Sequence, residues 1–229
     1  MAFRKTVVSV DGNQVTVDEA MPHSIDPTTG GGTAWLCEWS SGTRITEVGV
    51  EFITFVSAFS FKGKFGTDDG DEATLDVNGD EAHARYAIYV DNSEHVWIRN
   101  VTVKHFWMGA VLTDDGSSHT TIIDTKSLDA VSVITGGRRY AFNTEGDTNL
   151  FFRCYARHGR HDFVTGSLAM GPNVWAESVS DKSYSDIGPH HRYAVGQLYD
   201  SIVGATFRAW NRRCMGSGHG WSGVNIVFW

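Results

Sequence analysis

Short apolar runs, each opened by a polar or turn residue, return along this chain at a nearly constant interval. Val48, Val96, Thr120, Leu150, Val174, Leu198 and Ile226 each begin one, with separations of 48, 24, 30, 24, 24 and 28 residues. The first gap equals two turns of about 24 residues, and a period in the twenties marks a supersecondary unit that buries its apolar face only by stacking on its neighbours. The runs are too short and too Gly-rich for helices, while Val, Ile, Thr, Phe and Tyr give them strand character. The pattern predicts an all-β solenoid, a single-stranded parallel β-helix with one coil per repeat. The usual hand of crossovers between parallel strands makes it right-handed.

Two registers support this reading. His95-Val96-Trp97-Ile98, Asn149-Leu150-Phe151-Phe152, Asn173-Val174-Trp175-Ala176 and Asn225-Ile226-Val227-Phe228 align with Asn or His before the strand. Asn there suits a left-handed turn and can stack its amide between coils. A second register follows about 12 residues later, half of the period. It holds Gly109-Ala110-Val111, Asp129-Ala130-Val131, Asp162-Phe163-Val164 and Asp186-Ile187-Gly188, with Asn211 in the last coil.

The 229 residues are expected to form one domain, with a lead-in segment over 1–42 and coils over 43–229. Val7 to Val10 reads as a strand that turns at Asp11-Gly12-Asn13 into Val15 to Val17. A Gly- and Asp-rich loop projects at 57–83, and Thr135-Gly136-Gly137-Arg138-Arg139 adds length to one coil. The glycines of Thr29-Gly30-Gly31-Gly32-Thr33 read as a flexible loop, because no Lys-Ser/Thr follows to make a phosphate cradle. Polar caps are not evident at either end, so the chain reads as part of a longer solenoid or as a unit that associates through open coil edges.

Composition narrows the partners. No run of about 18 apolar residues exists to span a membrane, and the first residues lack the apolar stretch of a signal peptide. Cys37, Cys154 and Cys214 are odd in number and lack metal-ligand spacing, so they read as free thiols. The net charge is −8, yet residues 1–137 hold 9 Lys and Arg against 20 Asp and Glu, whereas 138–213 hold 10 against 7. An acidic body argues against nucleic acid, and a basic, His-rich second half points to a local anion site. Asp76, Asn78 and Asp80 have the first, third and fifth positions of a calcium loop, but Ala87 stands where a bidentate Glu is needed; a solvated acidic loop is the preferred reading.

Three polar clusters fall in consecutive coils. Arg157-His158-Gly159-Arg160-His161-Asp162 is followed by Ser185-Asp186-Ile187-Gly188-Pro189-His190-His191-Arg192. Then come Trp210-Asn211-Arg212-Arg213 and Gly216-Ser217-Gly218-His219-Gly220-Trp221. Residues one coil apart lie about 4.8 Å from one another, so Asp162 is expected over Asp186, with Asn211 or Trp210 below. Asp or Asn at such corners often only satisfies turn backbone, and that reading is preferred for Asp129. Trp175, Trp210 and Trp221 are either core or flat faces for sugars. Alternation after Gly188-Pro189 predicts that one of His190 and His191 packs inward and the other faces solvent.

The coils from about 47 onward, with Arg160-His161-Asp162-Phe163-Val164, Gly188-Pro189-His190-His191-Arg192 and Gly216-Ser217-Gly218-His219-Gly220-Trp221, resemble the pectin lyase-like superfamily of bacterial carbohydrate-active proteins. The resemblance implies an extracellular or cell-surface protein with a polysaccharide partner. The calcium aspartates of pectate lyases and the spaced aspartates of polygalacturonases are missing. The leading expectation is a lyase that cleaves a uronic-acid-containing glycan by β-elimination. His161, Asp162, Asp186, His190 and His191 are the candidate catalytic residues; Arg157, Arg160, Arg192, Arg213, His219 and Trp221 are the candidate substrate-binding residues. The alternatives are a non-catalytic glycan-binding or structural solenoid, and a glycoside hydrolase using stacked aspartates.

Overall fold

The computed structural model describes residues 2–37, 43–60, 80–204 and 206–229. The protein is all-β, nearly all strand, with long parallel sheets; a single turn of 3-10 helix at Pro27–Thr29 is the one helical element among the described residues. The chain visits three parallel sheets in a fixed order. One circuit runs through Gly109–Thr113, Thr121–Ile123 and Lys126–Leu128; the next runs through Tyr140–Thr144, Leu150–Phe152 and Tyr155–Arg157. A third passes through His161–Thr165, Met170–Ala176 and Val179–Asp181, and each strand pairs in parallel with its counterpart one circuit earlier.

The core lies between these sheets, built from ladders of inward side chains. In the seven-stranded sheet Val50, Ile98, Ile122, Phe151, Trp175, Tyr199 and Phe228 occupy one register position. Trp175 stacks on Phe151 with ring centroids 3.9 Å apart and on Tyr199 at 5.7 Å. Trp175 is therefore a core residue. Ile88, Val111, Phe142, Phe163 and Ile187 form the facing ladder.

Corners between sheets are columns of left-handed residues. Phe52, Asn100, Asp124, Arg153, Glu177 and Ser201 share one, and His105, Asp129, His158 and Lys182 share another, all with φ between 46° and 65°. Such geometry is strained for residues other than Gly. Each corner is held by a backbone bond to the next circuit, such as Asp124 N to Phe152 O and Asp129 N to Arg157 O.

These columns correct two expectations about register. Asp129 belongs to a corner, and the strand that pairs with Gly109–Thr113 is Tyr140–Thr144. Ile187 pairs with Phe207, so Asn211 and Trp210 do not continue the Asp162–Asp186 position; Asn211 instead bridges Trp221. The periodic runs also mix two positions. Thr121, not Thr120, pairs with Leu150, because Asn149 and Asn173 lie inside the barrel wall rather than at its corner. Asn149 Oδ1 accepts from Thr120 N, and Asn173 Oδ1 accepts from Asn149 N, both at 2.9 Å.

The lead-in segment forms the expected hairpin, Val7–Asp11 with Gln14–Val17, then runs across the circuits. Glu19 meets Lys5, His119 and Thr148, and Asn225 Nδ2 donates to Pro22 O at 2.7 Å. Most of the projecting loop, with Asp76 and Asn78 of the calcium motif, lies outside the described residues. Asp80 accepts from Ser60 N and Ala82 N.

Candidate functional site

Pairing of Tyr140–Thr144 with His161–Thr165 sets Tyr140 beside His161, with ring centroids 5.4 Å apart. One circuit on, the short strand Gly188–Pro189 ends the sheet and delivers His190 against both rings, 4.4 Å from His161 and 5.4 Å from Tyr140. His219 arrives from the following segment because Arg192 N bonds its carbonyl at 3.0 Å. His190, His191 and His219 then pack at 5.2, 5.4 and 4.9 Å. Four imidazoles thus form one contiguous cluster, with Arg160 and Arg212 contributing their positive fields.

The hydrogen bonds fix two tautomers. His161 Nδ1 lies 2.8 Å from the carbonyl oxygen of Asp186, which only accepts, so Nδ1 carries the proton and Nε2 holds the lone pair. That Nε2 is buried without a partner among the described residues. His190 has the same Nδ1–H tautomer, held through its other nitrogen. Arg212 Nη1 only donates, so His190 Nε2 accepts and Nδ1 bears the proton, without a partner among the described residues.

All four imidazoles are biased toward the neutral form. Burial pulls His161 down to about 4, and Arg160 and Arg212 push the same way against Asp186. His191 falls to about 4 through burial and then His219. Burial carries His190 far below the ordinary imidazole range, helped by His161 and Arg212; His219 is lowered by burial, Arg212 and Arg192.

His161, Asp186, His190, His191, His219 and Arg160 therefore come together, with Arg192 at the edge. Asp162 does not join them. It is completely buried, accepts from Ser180 Oγ, and its carboxyl rises to about 6 because of burial, against the Ser180 and Ser183 hydroxyls. The Asp162 and Asp186 strands stay in register, and Asp186 Oδ1 accepts from the Ser185 hydroxyl. Arg157 is also elsewhere, clamping Asp129 at 3.0 and 2.7 Å beside His158. Arg213 and Trp221 sit on the exposed segment next to the cluster.

His190 is the inner member of its pair at 5% exposure, and His191 is half-buried. Strand alternation is not the cause, because Arg192 and Tyr193 turn with positive φ straight after them. Two residues escape the sequence reading. Tyr140 stands 21 residues before His161, off the 24-residue spacing, because the extra length ahead of it shifts that strand. Arg212, rather than its neighbour Arg213, turns in to bond His190.

Comparison with protein-family models, curated proteins and solved structures finds no match for this chain. No helix among the described residues is long and apolar enough to cross a membrane. Among the described residues no group of three or more His, Cys, Asp or Glu has the arrangement of a metal site.

Proposed function

We propose that the three-sheet circuits wind as a right-handed parallel β-helix of the pectin lyase-like type, and that the protein is an extracellular lyase acting on a uronic-acid-containing glycan. The observation that carries this reading is the cluster of neutral imidazoles beside Arg160 and Arg212. Elimination requires a neutral base, a cation for the carboxylate and a proton donor for the leaving oxygen.

His191 is half-buried and reaches the surface of the cluster, so it is the base that removes the C5 proton α to the carboxylate. The electron pair forms the C4–C5 double bond as the C4–O glycosidic bond breaks. Arg160 neutralises the carboxylate, for which a planar guanidinium is well shaped. Tyr140, whose hydroxyl lies beside Arg160, protonates the departing oxygen. Arg212 is held by His190, and Asp186 holds His161; these inner groups position the outer ones.

Incubation with pectate, alginate and glycosaminoglycans, followed at the absorbance of unsaturated uronates, tests the reaction. Product formation that disappears in His191→Ala is expected. No unsaturated product from any acidic glycan overturns it.

A non-catalytic glycan-binding solenoid is the second reading. It is favoured by the burial of His161 and His190, at 2% and 5% exposure. A hydrolase has less support, because one of its two carboxylates, Asp162, is sealed beneath Ser180.

A further inference from the structure

The segment after Gly204 leaves the regular circuit and returns as a narrow antiparallel excursion. Asn211 bridges Trp221, Trp210 N and O bond the Ser222 hydroxyl and amide, and Arg212 N bonds Gly220 O at 2.7 Å. The tip turns through Gly216, Gly218 and Gly220, all at positive φ. Arg192 is tied to it through the Ser217 hydroxyl, and Arg212 through His190. The excursion is therefore fixed in place beside the imidazole cluster.

Among its exposed residues are Arg208, Trp210, Arg213 and Trp221. Trp221 is 57% exposed and Trp210 37%, with the Arg208 guanidinium 5.7 Å from the Trp210 ring. Arg4, Arg44, Arg99, Arg138, Arg153 and Arg157 each pair with a carboxylate. Arg85, Arg139, Arg160, Arg192, Arg208, Arg212 and Arg213 have no such ion pair among the described residues; five of these seven lie in or beside the excursion, and the sequence has no Asp or Glu after Asp200.

We infer that this Arg- and Trp-bearing excursion is a binding subsite for a polyanionic glycan, lying next to the imidazole cluster and taking the sugars adjoining those held there. The inference rests on the glycan reading above but not on catalysis. An exposed indole offers a flat apolar face to a pyranose ring, and an unpaired guanidinium accepts a carboxylate in bidentate fashion. A neutral glycan would leave the arginines without counter-charge. A nucleic acid strand also offers stacking and anions, and the oligothymidine arm of the test below separates it from a glycan.

The test is calorimetric titration of the full chain with oligogalacturonate, with a neutral cello-oligosaccharide of equal length and with a single-stranded oligothymidine. Oligogalacturonate is expected to bind, more weakly as salt rises, and the neutral sugar not to bind. Each of Arg208→Gln and Arg213→Gln removes a charge-assisted contact and is expected to weaken binding about tenfold. Both side chains are exposed, so melting temperature should hold; Trp221→Ala is a third variant, scored only where its melting temperature also holds. Equal affinity for the neutral sugar, tighter binding of oligothymidine, or unchanged affinity in the Arg208→Gln/Arg213→Gln double variant overturns the inference. Binding of oligogalacturonate with no unsaturated product from any acidic glycan defeats the lyase reading and leaves the subsite standing. Products formed with unchanged KM in the double variant do the reverse.

Discussion

Arg212 Nη1 donates at 2.8 Å to both the ring Nε2 and the carbonyl oxygen of His190. One guanidinium thereby fixes the tautomer of a buried imidazole and closes the turn that follows the sheet. The same contact holds a cation inside the imidazole cluster, which adds to the larger effect of burial in biasing the neighbouring rings toward the neutral form.

Arg212→Ala is expected to leave two buried acceptors of His190 unpaired and to cost about 1–3 kcal/mol. Urea unfolding measures the loss. Nitrogen chemical shifts of the histidine rings provide a second readout: His190 should lose its single tautomer, while His161, held by the Asp186 carbonyl, keeps its own. An unchanged His190 spectrum would mean that the guanidinium does not set the proton's position.

Much of the architecture is legible in the periodic runs, because a stacked sheet repeats its inward residue every circuit. Val50, Ile98, Ile122 and Phe151 announce that position directly. Polar residues that face inward are what the pattern hides. Asn149 and Asn173 read as corner residues because Asn favours left-handed turns, yet they satisfy backbone amides inside the wall. The site was legible as a polar stripe over 160–219. Its membership was not, since the direction of Asp162, the turn of Arg212 and the displacement of Tyr140 depend on the corner geometry and the extra length before residue 140.

The buried amide ladder supplies a stability prediction. Thr120, Asn149, Asn173 and Gln197 hold successive places, and each Asn oxygen accepts the backbone amide one circuit earlier. Gln197 breaks the series: its Nε2 turns to Val195 O, and its buried Oε1 has no protein partner. Gln197→Asn should let the shorter amide accept from Asn173 N, raising stability by about 1 kcal/mol. A lower denaturant midpoint would show that the extra methylene is required for packing there.

Thiol labelling reads the compactness of the wall. Cys37 and Cys214 are exposed, while Cys154 is buried, with its thiol pushed up to about 12 by burial. Iodoacetamide at pH 8 should alkylate the two exposed thiols in the folded protein and reach Cys154 only in denaturant. Labelling of Cys154 at native conditions would indicate opening of the sheet between Phe152 and Tyr155.

Acid should destabilise the fold, against an opposing contribution from Asp162. His161 and His191 titrate near 4 when folded and from a reference of 6.5 when unfolded, so the unfolded chain takes up protons first. Their stabilising effect is complete above about pH 6.5 and is lost as pH falls through about 4. Asp162 acts the other way. Its folded value near 6 lies above the reference 3.8, so its contribution is complete below 3.8 and is lost as pH rises through 6. Asp162→Asn keeps an acceptor for Ser180 without burying a charge. Its melting temperature should exceed that of the parent at pH 8, and the gap should close toward pH 4. Because the opposing carboxyl is gone, the variant should also lose stability more steeply on acidification. A variant less stable than the parent at pH 8 would mean that the Asp162 carboxylate is tied into the interior more favourably than the Ser180 and Ser183 hydroxyls account for.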